Sequence, residues 1–494
     1  MVFSSLIFLF LFLPVVLSIY FFLRNETARN AFLLAASLIF YAWGEPTYLC
    51  VMLVSIVANY MFAIWIEDRR PAARRILAIA VTFNLLLLGF FKYCTFVLAN
   101  LNHVLSFFGQ RPIAVWSVPL PLGVSFFTFH ALSYVIDVFR KQAIAQRRPI
   151  NLALYICFFP QLIAGPIIRY HDICDQLNKR TVTSDLFSEG IKRFIGGLGK
   201  KVLIANVLAK PADLIFSVPP GELSFGVSWI APILYALQVY FDFSGYSDMA
   251  IGLALMFGFR FPENFNYPYI SQSMTELWNR WHISLSNWFR DYLFRPLGGF
   301  RRNNKLHTSA ILIIIFFCIG LWHGASWHFV IWGLYNGLFV SIERLGLGRI
   351  LNRIWRPFRH LYVLVVWLFG VVLFRSDNLA QAQSLWFNML CVDRKVEGFY
   401  SLPVILNSDI CLAIMVGVLV STPLFSKLLV LLSGSIPEVR PAGQAALNLS
   451  WSRWSASLQE LRMAPQLMLE VTVLVLVVVQ LSSGAYNPFI YFRF

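Results

Sequence analysis

Apolar runs about as long as a bilayer is thick recur from one end of this chain to the other, and that leaves few folds open to it. A helix needs roughly 20 apolar residues to cross the hydrocarbon core. Runs that reach or approach this length occupy 3–23, 30–46, 48–66, 76–97, 114–138, 150–168, 190–208, 225–257, 307–321, 324–342, 357–375, 402–422 and 468–483. The expected fold is all-α: a polytopic integral membrane protein of about 11–13 transmembrane or re-entrant helices. Runs too short or too interrupted to cross alone are expected to be re-entrant, which is tolerated where backbone is buried in protein or lines a cavity.

Composition supports this. Of 494 residues only 13% are charged, against about 25% in soluble proteins, too few to coat soluble domains of that size. Lys and Arg number 40 and Asp and Glu 24, a formal charge of +16. The basic residues sit between apolar spans, so they read as the positive-inside bias and not as a nucleic-acid footprint. Loops 24–29 (Arg24, Arg29), 67–75 (Arg69, Arg70, Arg74, Arg75) and 139–148 (Arg140, Lys141, Arg147, Arg148) are each two spans apart, hence on one side. By the same rule that side is the cytoplasm, and the N-terminus starts outside. The run after Met1 has no positive n-region and no small-residue cleavage site, so it is expected to be a retained span. The Arg-rich interval 344–359 reads as a cytoplasmic connection, and 433–467 as a surface loop with a short amphipathic helix.

The seven cysteines form no CxxC pair and lie mostly in apolar runs, which argues against a disulfide framework or a structural zinc. No metal-ligand spacing, Walker loop, GxSxG elbow or dinucleotide fingerprint occurs. No internal repeat suggests an inverted-repeat transporter.

Polar side chains inside a membrane are functional candidates by default, and three segments hold them. In 238–248, Asp242 and Tyr246 share a helical face, Ser244 and Asp248 another, and Gly245 lets a second backbone come close. Two readings are open here: ion pairs that lock the bundle, or a lining of the site. In 276–292 a continuous helix would align Asn279, His282, Ser286 and Arg290 on one stripe, beside Trp278, Trp281 and Trp288. In 318–337, His323 lies between apolar runs with Trp322 before it, Trp327 one turn on, and Gly324, Gly333 and Gly337 for close packing. A buried imidazole suits proton transfer near neutral pH. His328, five residues on, points elsewhere.

The blocks Met1-Val-Phe-Ser-Ser, Phe159-Pro-Gln-Leu-Ile-Ala-Gly-Pro166, Tyr240-Phe-Asp-Phe-Ser-Gly-Tyr-Ser-Asp-Met-Ala250, Trp281-His-Ile-Ser-Leu-Ser286 through Gly299, and Leu321-Trp-His-Gly-Ala325 resemble the membrane-bound O-acyltransferases. They run in order to about residue 345, and Leu373-Phe-Arg-Ser-Asp377 extends the likeness loosely. The chain is most similar to the bacterial branch that O-acetylates exported polysaccharides such as alginate and cellulose. The resemblance implies one domain over 1–494, with its motif-bearing core at about 110–345 and C-terminal helices over 357–494, surrounding a central tunnel. It implies an inner-membrane acetyltransferase with no bound cofactor or metal and a cytoplasmic thioester donor, acetyl-CoA foremost. The acceptor is a polysaccharide or a periplasmic acetyltransferase that passes the group on, and the absence of a GxSxG signature fits such a relay.

The family's usually essential histidine falls on His323 and its second polar position on His282. In that mechanism His323 is general base, with an acyl-histidine left open, and His282 or Asn279 stabilises the oxyanion. Arg280 or Arg290 meets the donor's phosphates, and Asp242 and Tyr246 orient the helices carrying the histidines. Ser286 and Trp322 complete the expected site. D-alanyl transfer to a cell-envelope polymer, and a transporter or flippase using Asp242 and Asp248, are the alternatives.

Overall fold

The computed structural model describes residues 1–115, 118–299, 304–390, 405–425, 427, 452–484 and 486–488. Helix is the only regular secondary structure among them. After a π turn at Phe8–Phe12 come α1 (Leu13–Phe22), α2 (Glu26–Ala42), α3 (Leu49–Asp68) and α4 (Ala73–Phe107), then α5 (Val124–Phe139), α6 (Pro149–Cys157), α7 (Phe159–Leu162) and α8 (Tyr170–Asn178). Next are α9 (Ser184–Gly199), which continues through a π segment into α10 (Asn206–Ser217), and α11 (Phe225–Met256). Two short helices, α12 (Met274–Arg280) and α13 (Ile283–Phe289), precede the hairpin of α14 (Lys305–His323) and α15 (Trp327–Ile342). The chain ends with α16 (Gly348–Leu351), α17 (Arg356–Arg375), α18 (Leu379–Leu390), α19 (Ser408–Val420) and α20 (Ser452–Ser482).

Short polar side chains start many of these helices by accepting an otherwise orphaned N–H. Asn25 caps α2, Thr183 α9, Ser224 α11, Ser273 α12 and Asn304 α14. The helices α3, α4, α14 and α17 are long and apolar enough to cross a bilayer unaided. The expected span 150–168 instead breaks into α6, α7 and extended chain; nearly all of it is buried, which is re-entrant geometry. The expected loop over 433–467 lies outside the described residues as far as 451, and from Ser452 the chain is helical.

Helices α9 and α11 form the central seam. A Cβ on Gly197 would come within 2.6 Å of the Gly245 carbonyl oxygen, and one on Gly245 within 2.7 Å of that of Gly197. Only glycine lets the two backbones touch there. Charged pairs flank the crossing: Asp242 with Lys201 at 2.5 Å, and Asp248 with Arg193 at 2.9 Å and Lys200 at 2.6 Å.

The three early basic loops meet on one face. Arg147 pairs with Glu67 at 3.1 Å and Asp68 at 2.6 Å, Arg70 donates to the Val138 carbonyl at 3.3 Å, and Asn30 bonds Asn151 at 2.9 Å. The turn after α13 joins them: Arg140 donates to the Asp291 carbonyl at 3.0 Å, and Arg169 pairs with the Asp291 carboxylate. Helix α14 starts just beyond that turn and carries the chain about 28 Å away from it. Gly320 and Gly333 bring α14 and α15 together, and α15 then returns.

Candidate active site

Helix α14 ends on His323 because Gly324 is extended, with φ −166° and ψ 150°. The carbonyls exposed by that ending are claimed by α4: the Tyr93 hydroxyl donates to the Leu321 oxygen at 2.9 Å, and the Lys92 ammonium to the Trp322 oxygen. A cation suits the negative end of the helix dipole. The buried His323 ring is boxed by Trp322, Trp332 and Phe374, with centroids 4.8, 4.9 and 5.1 Å away.

His323 and Trp322 line a cavity of about 300 Å³ with Lys92, Glu45, Ile163 and residues 120–126. Burial raises the Glu45 carboxyl above its ordinary pKa. Glu45 follows α2, residues 120–124 lead into α5, and His323 ends α14, so these walls sit at the helix ends remote from the basic face. Helix α5 shows the depth. Gly123, at φ 74°, starts it in the cavity, and Phe129 stacks on both Trp322 (5.7 Å) and Trp288 (4.2 Å). Asp137 then takes the Tyr292 hydroxyl at 2.7 Å beside the basic face.

His282 is the second centre, and it corrects the expected continuous helix over 276–292. The backbone turns at His282, which sits in the left-handed region at φ 45°, ψ 54°, a conformation uncommon outside glycine. The loop 264–266 stabilises the break: Asn266 N–H donates to the Arg280 carbonyl and Ile283 N–H to the Asn264 carbonyl, both at 2.9 Å. With no continuous helix there is no common stripe. Asn279 and Arg290 are exposed. Arg280 pairs with Glu276 at 2.9 Å, and Ser286 donates to the Trp278 carbonyl at 3.3 Å. Of the four stripe residues only His282 is buried beside Trp322, with ring centroids 5.9 Å apart. Trp322 thus stands between the two histidines.

One open reading closes and one expectation changes. Asp242 and Tyr246 face Lys201 and Phe3, the latter stacked at 4.7 Å, and so belong to the seam. The neighbouring face of α11 supports His282 instead: Phe243 meets its ring edge-on at 4.6 Å, and the Ser247 hydroxyl takes a hydrogen bond from Asn264 at 3.0 Å. Trp327 does not share a face with His323, because the helix stops between them; it is exposed and donates to Asn100 at 2.8 Å. His328 bonds Ser326 at 2.9 Å and is not among the residues that line the cavity.

Sequence reading missed Lys92, Glu45 and Asn264. Lys92 carried a signal, a lone cation inside an apolar run. Glu45 and Asn264 are loop residues with none.

Residues 122–379 match the family described as MBOAT, membrane-bound O-acyltransferase family. Over the full length of both chains, the sequence is 40% identical to a probable alginate O-acetylase AlgI of Azotobacter vinelandii. It is 38% identical to a peptidoglycan O-acetyltransferase of Helicobacter pylori over 70% of each chain. A teichoic acid D-alanyltransferase of Bacillus subtilis is 32% identical over 44% of this chain and 58% of its own.

Proposed function

The chain belongs to the membrane-bound O-acyltransferase family, and on that premise we propose that it takes an acetyl group from a thioester at its basic face and delivers it to a hydroxyl reached through the cavity on the opposite side. The basic face is read as cytoplasmic under the positive-inside rule, in the inner membrane of a bacterium, with the N-terminus outside. Acetyl-CoA is the donor. The acceptor is an exported polysaccharide or a periplasmic protein that passes the acetyl group on to one. Full-length similarity to alginate O-acetylases supports acetyl transfer and a polysaccharide as the end point. The one observation that carries the reading is that His323 ends a helix rising from the basic face and lines a cavity at the far end.

In this reading His323 takes the proton of the attacking hydroxyl as the oxygen bonds the thioester carbonyl carbon. The tetrahedral intermediate then collapses, expelling the thiolate, which recovers a proton. General-base help of this kind contributes about 10²–10⁴-fold. Lys92 supplies positive charge beside the reacting carbonyl, where a water-poor site makes it effective. The arginines around Asp291 (Arg140, Arg169, Arg290 and Arg295) offer phosphate-binding charge at the donor's entrance.

The test is ester-linked acetate on secreted polysaccharide from cells lacking the protein, complemented with wild type, His323→Ala or His328→Ala at equal membrane abundance. Loss of acetate with His323→Ala, and retention with His328→Ala, is expected. Normal acetylation by both variants would sink the proposed role of His323. Ester-linked alanine in place of acetate would move the activity to D-alanyl transfer.

A further inference from the structure

The hydrogen bonds around His282 determine which of its ring nitrogens carries the proton. A backbone N–H can only donate, so the Asn264 side-chain atom 3.2 Å from the Ser284 N–H is its oxygen. The Ser284 hydroxyl reaches the same oxygen at 2.8 Å, and the Asn264 amide nitrogen donates to Ser247 at 3.0 Å. His282 Nδ1 lies 3.1 Å from that oxygen. Two acceptors make no hydrogen bond, so Nδ1 bears the proton of the neutral ring and Nε2 is bare.

Nε2 is buried and has no hydrogen-bond partner among the described residues. Leaving a buried acceptor unpaired is destabilising, and a group kept so calls for an explanation such as a catalytic role. The His282 ring packs against Phe243, T-shaped with centroids 4.6 Å apart, and against Trp322, with centroids 5.9 Å apart. Two titratable groups flank the same Trp322 ring: His323, with centroids 4.8 Å apart, and Lys92, whose ammonium is 5.8 Å from the centroid.

We propose that Asn264 is a positioning residue of the acyl transfer: it holds His282 as the Nδ1–H tautomer, so that Nε2 offers a lone pair to a substrate O–H or N–H beside Trp322 and His323. The proposal rests on the acyltransferase reading for its substrate, but not for its tautomer. Neutral His282 is then an acceptor and cannot donate to a developing oxyanion. That role passes to Lys92 and to the buried indole N–H of Trp322, which has no hydrogen-bond partner among the described residues.

The first measurement is the ¹⁵N spectrum of histidine-labelled full-length protein in lipid nanodiscs, with His282 assigned by difference against His282→Gln. A protonated Nδ1 and a bare Nε2 are expected; a proton on Nε2 would overturn the proposal. The second measurement is thiol release from acetyl-CoA across pH by wild type, Asn264→Asp and Asn264→Leu. Asn264→Asp keeps an acceptor for Nδ1–H but sets a carboxylate beside the ring. The acid limb of its rate profile should move up by roughly one unit, which loss of packing alone does not produce. An unmoved limb overturns the proposal. Asn264→Leu should lose on the order of 100-fold in rate. An equal loss with the S-acetyl thioester of mercaptoethanol, which has no amide, assigns the O–H; a loss confined to acetyl-CoA assigns the donor's amide N–H. Failure of the wild type to release thiol would strike the acyl-transfer reading, and the spectrum alone would then decide the tautomer.

Discussion

Two parts of this bundle bury polar side chains, and they satisfy them differently. Along the α9–α11 seam each carboxylate has a cation: buried Asp242 has Lys201, and half-buried Asp248 has Arg193 and Lys200. Beside the cavity the closure is incomplete: among the described residues, His282 Nε2 and Trp322 Nε1 are buried without hydrogen-bond partners. Both regions present the same signal in sequence, ionisable residues within apolar runs. What marks the seam as a girder is the ion pairing of its carboxylates, and not polarity in the membrane as such.

The comparison breaks first at His323. His323→Ala should lower thioester turnover by about 10²–10⁴-fold with little change in melting temperature in detergent. A large loss of stability at full specific activity would put His323 among the structural residues. At the seam the pattern should invert. Lys201→Met removes the cation that faces buried Asp242 and should cost about 3–5 kcal/mol, while the surviving folded protein keeps its specific activity. Lys201→Met with Asp242→Leu should recover much of that stability, and the absence of recovery would show that the pair is not the seam's electrostatic lock.

Gly197→Val probes the crossing itself, since its Cβ would press on the Gly245 carbonyl. Overpacking of this kind costs about 1–3 kcal/mol, to be read from thermal unfolding. Lys92→Met sharpens the comparison from the other side. It removes the cavity's cation and its bond to the Trp322 carbonyl, and should reduce turnover on the order of tenfold.

The smallest effect concerns His171 at the basic face. Its Nδ1 lies 2.8 Å from Asp137, and that hydrogen bond raises its pKa above the ordinary value. The stabilisation is fully present below about pH 6.5 and is lost as pH rises through the higher folded value. The melting-temperature gap between wild type and His171→Gln should therefore shrink as pH rises across that window. A constant gap would mean that the ring's charge is not what matters.

Some of the site was legible because its cues are local. His323 between apolar runs and the glycines around it could be read directly, as could the spacing of the three basic loops. The orientation of α11 could not. Asp242 and Phe243 are adjacent in sequence, yet one meets Lys201 and the other His282, and only the placement of neighbouring helices decides which face looks inward. The supposed stripe through Asn279, Ser286 and Arg290 failed for a related reason. Periodicity assumes an unbroken helix, whereas the loop 264–266 offered the backbone at 280–283 hydrogen bonds that a continuous helix would have kept for itself.

A helical membrane protein with one basic face and a histidine between two apolar runs is legible from the sequence alone. Those outcomes follow from hydrophobic run length, charge between runs and glycine spacing, which act over one or two turns. Only the tertiary structure decided which polar residues converge. Lys92, Trp322 and His323 meet across α4 and α14, and Ser247, Asn264 and His282 meet across α11, a loop and a helix break. Such meetings depend on how whole helices rotate and cross, and in lipid those rotations are set by close packing and the pairing of buried polar groups, neither of which is encoded within any one segment.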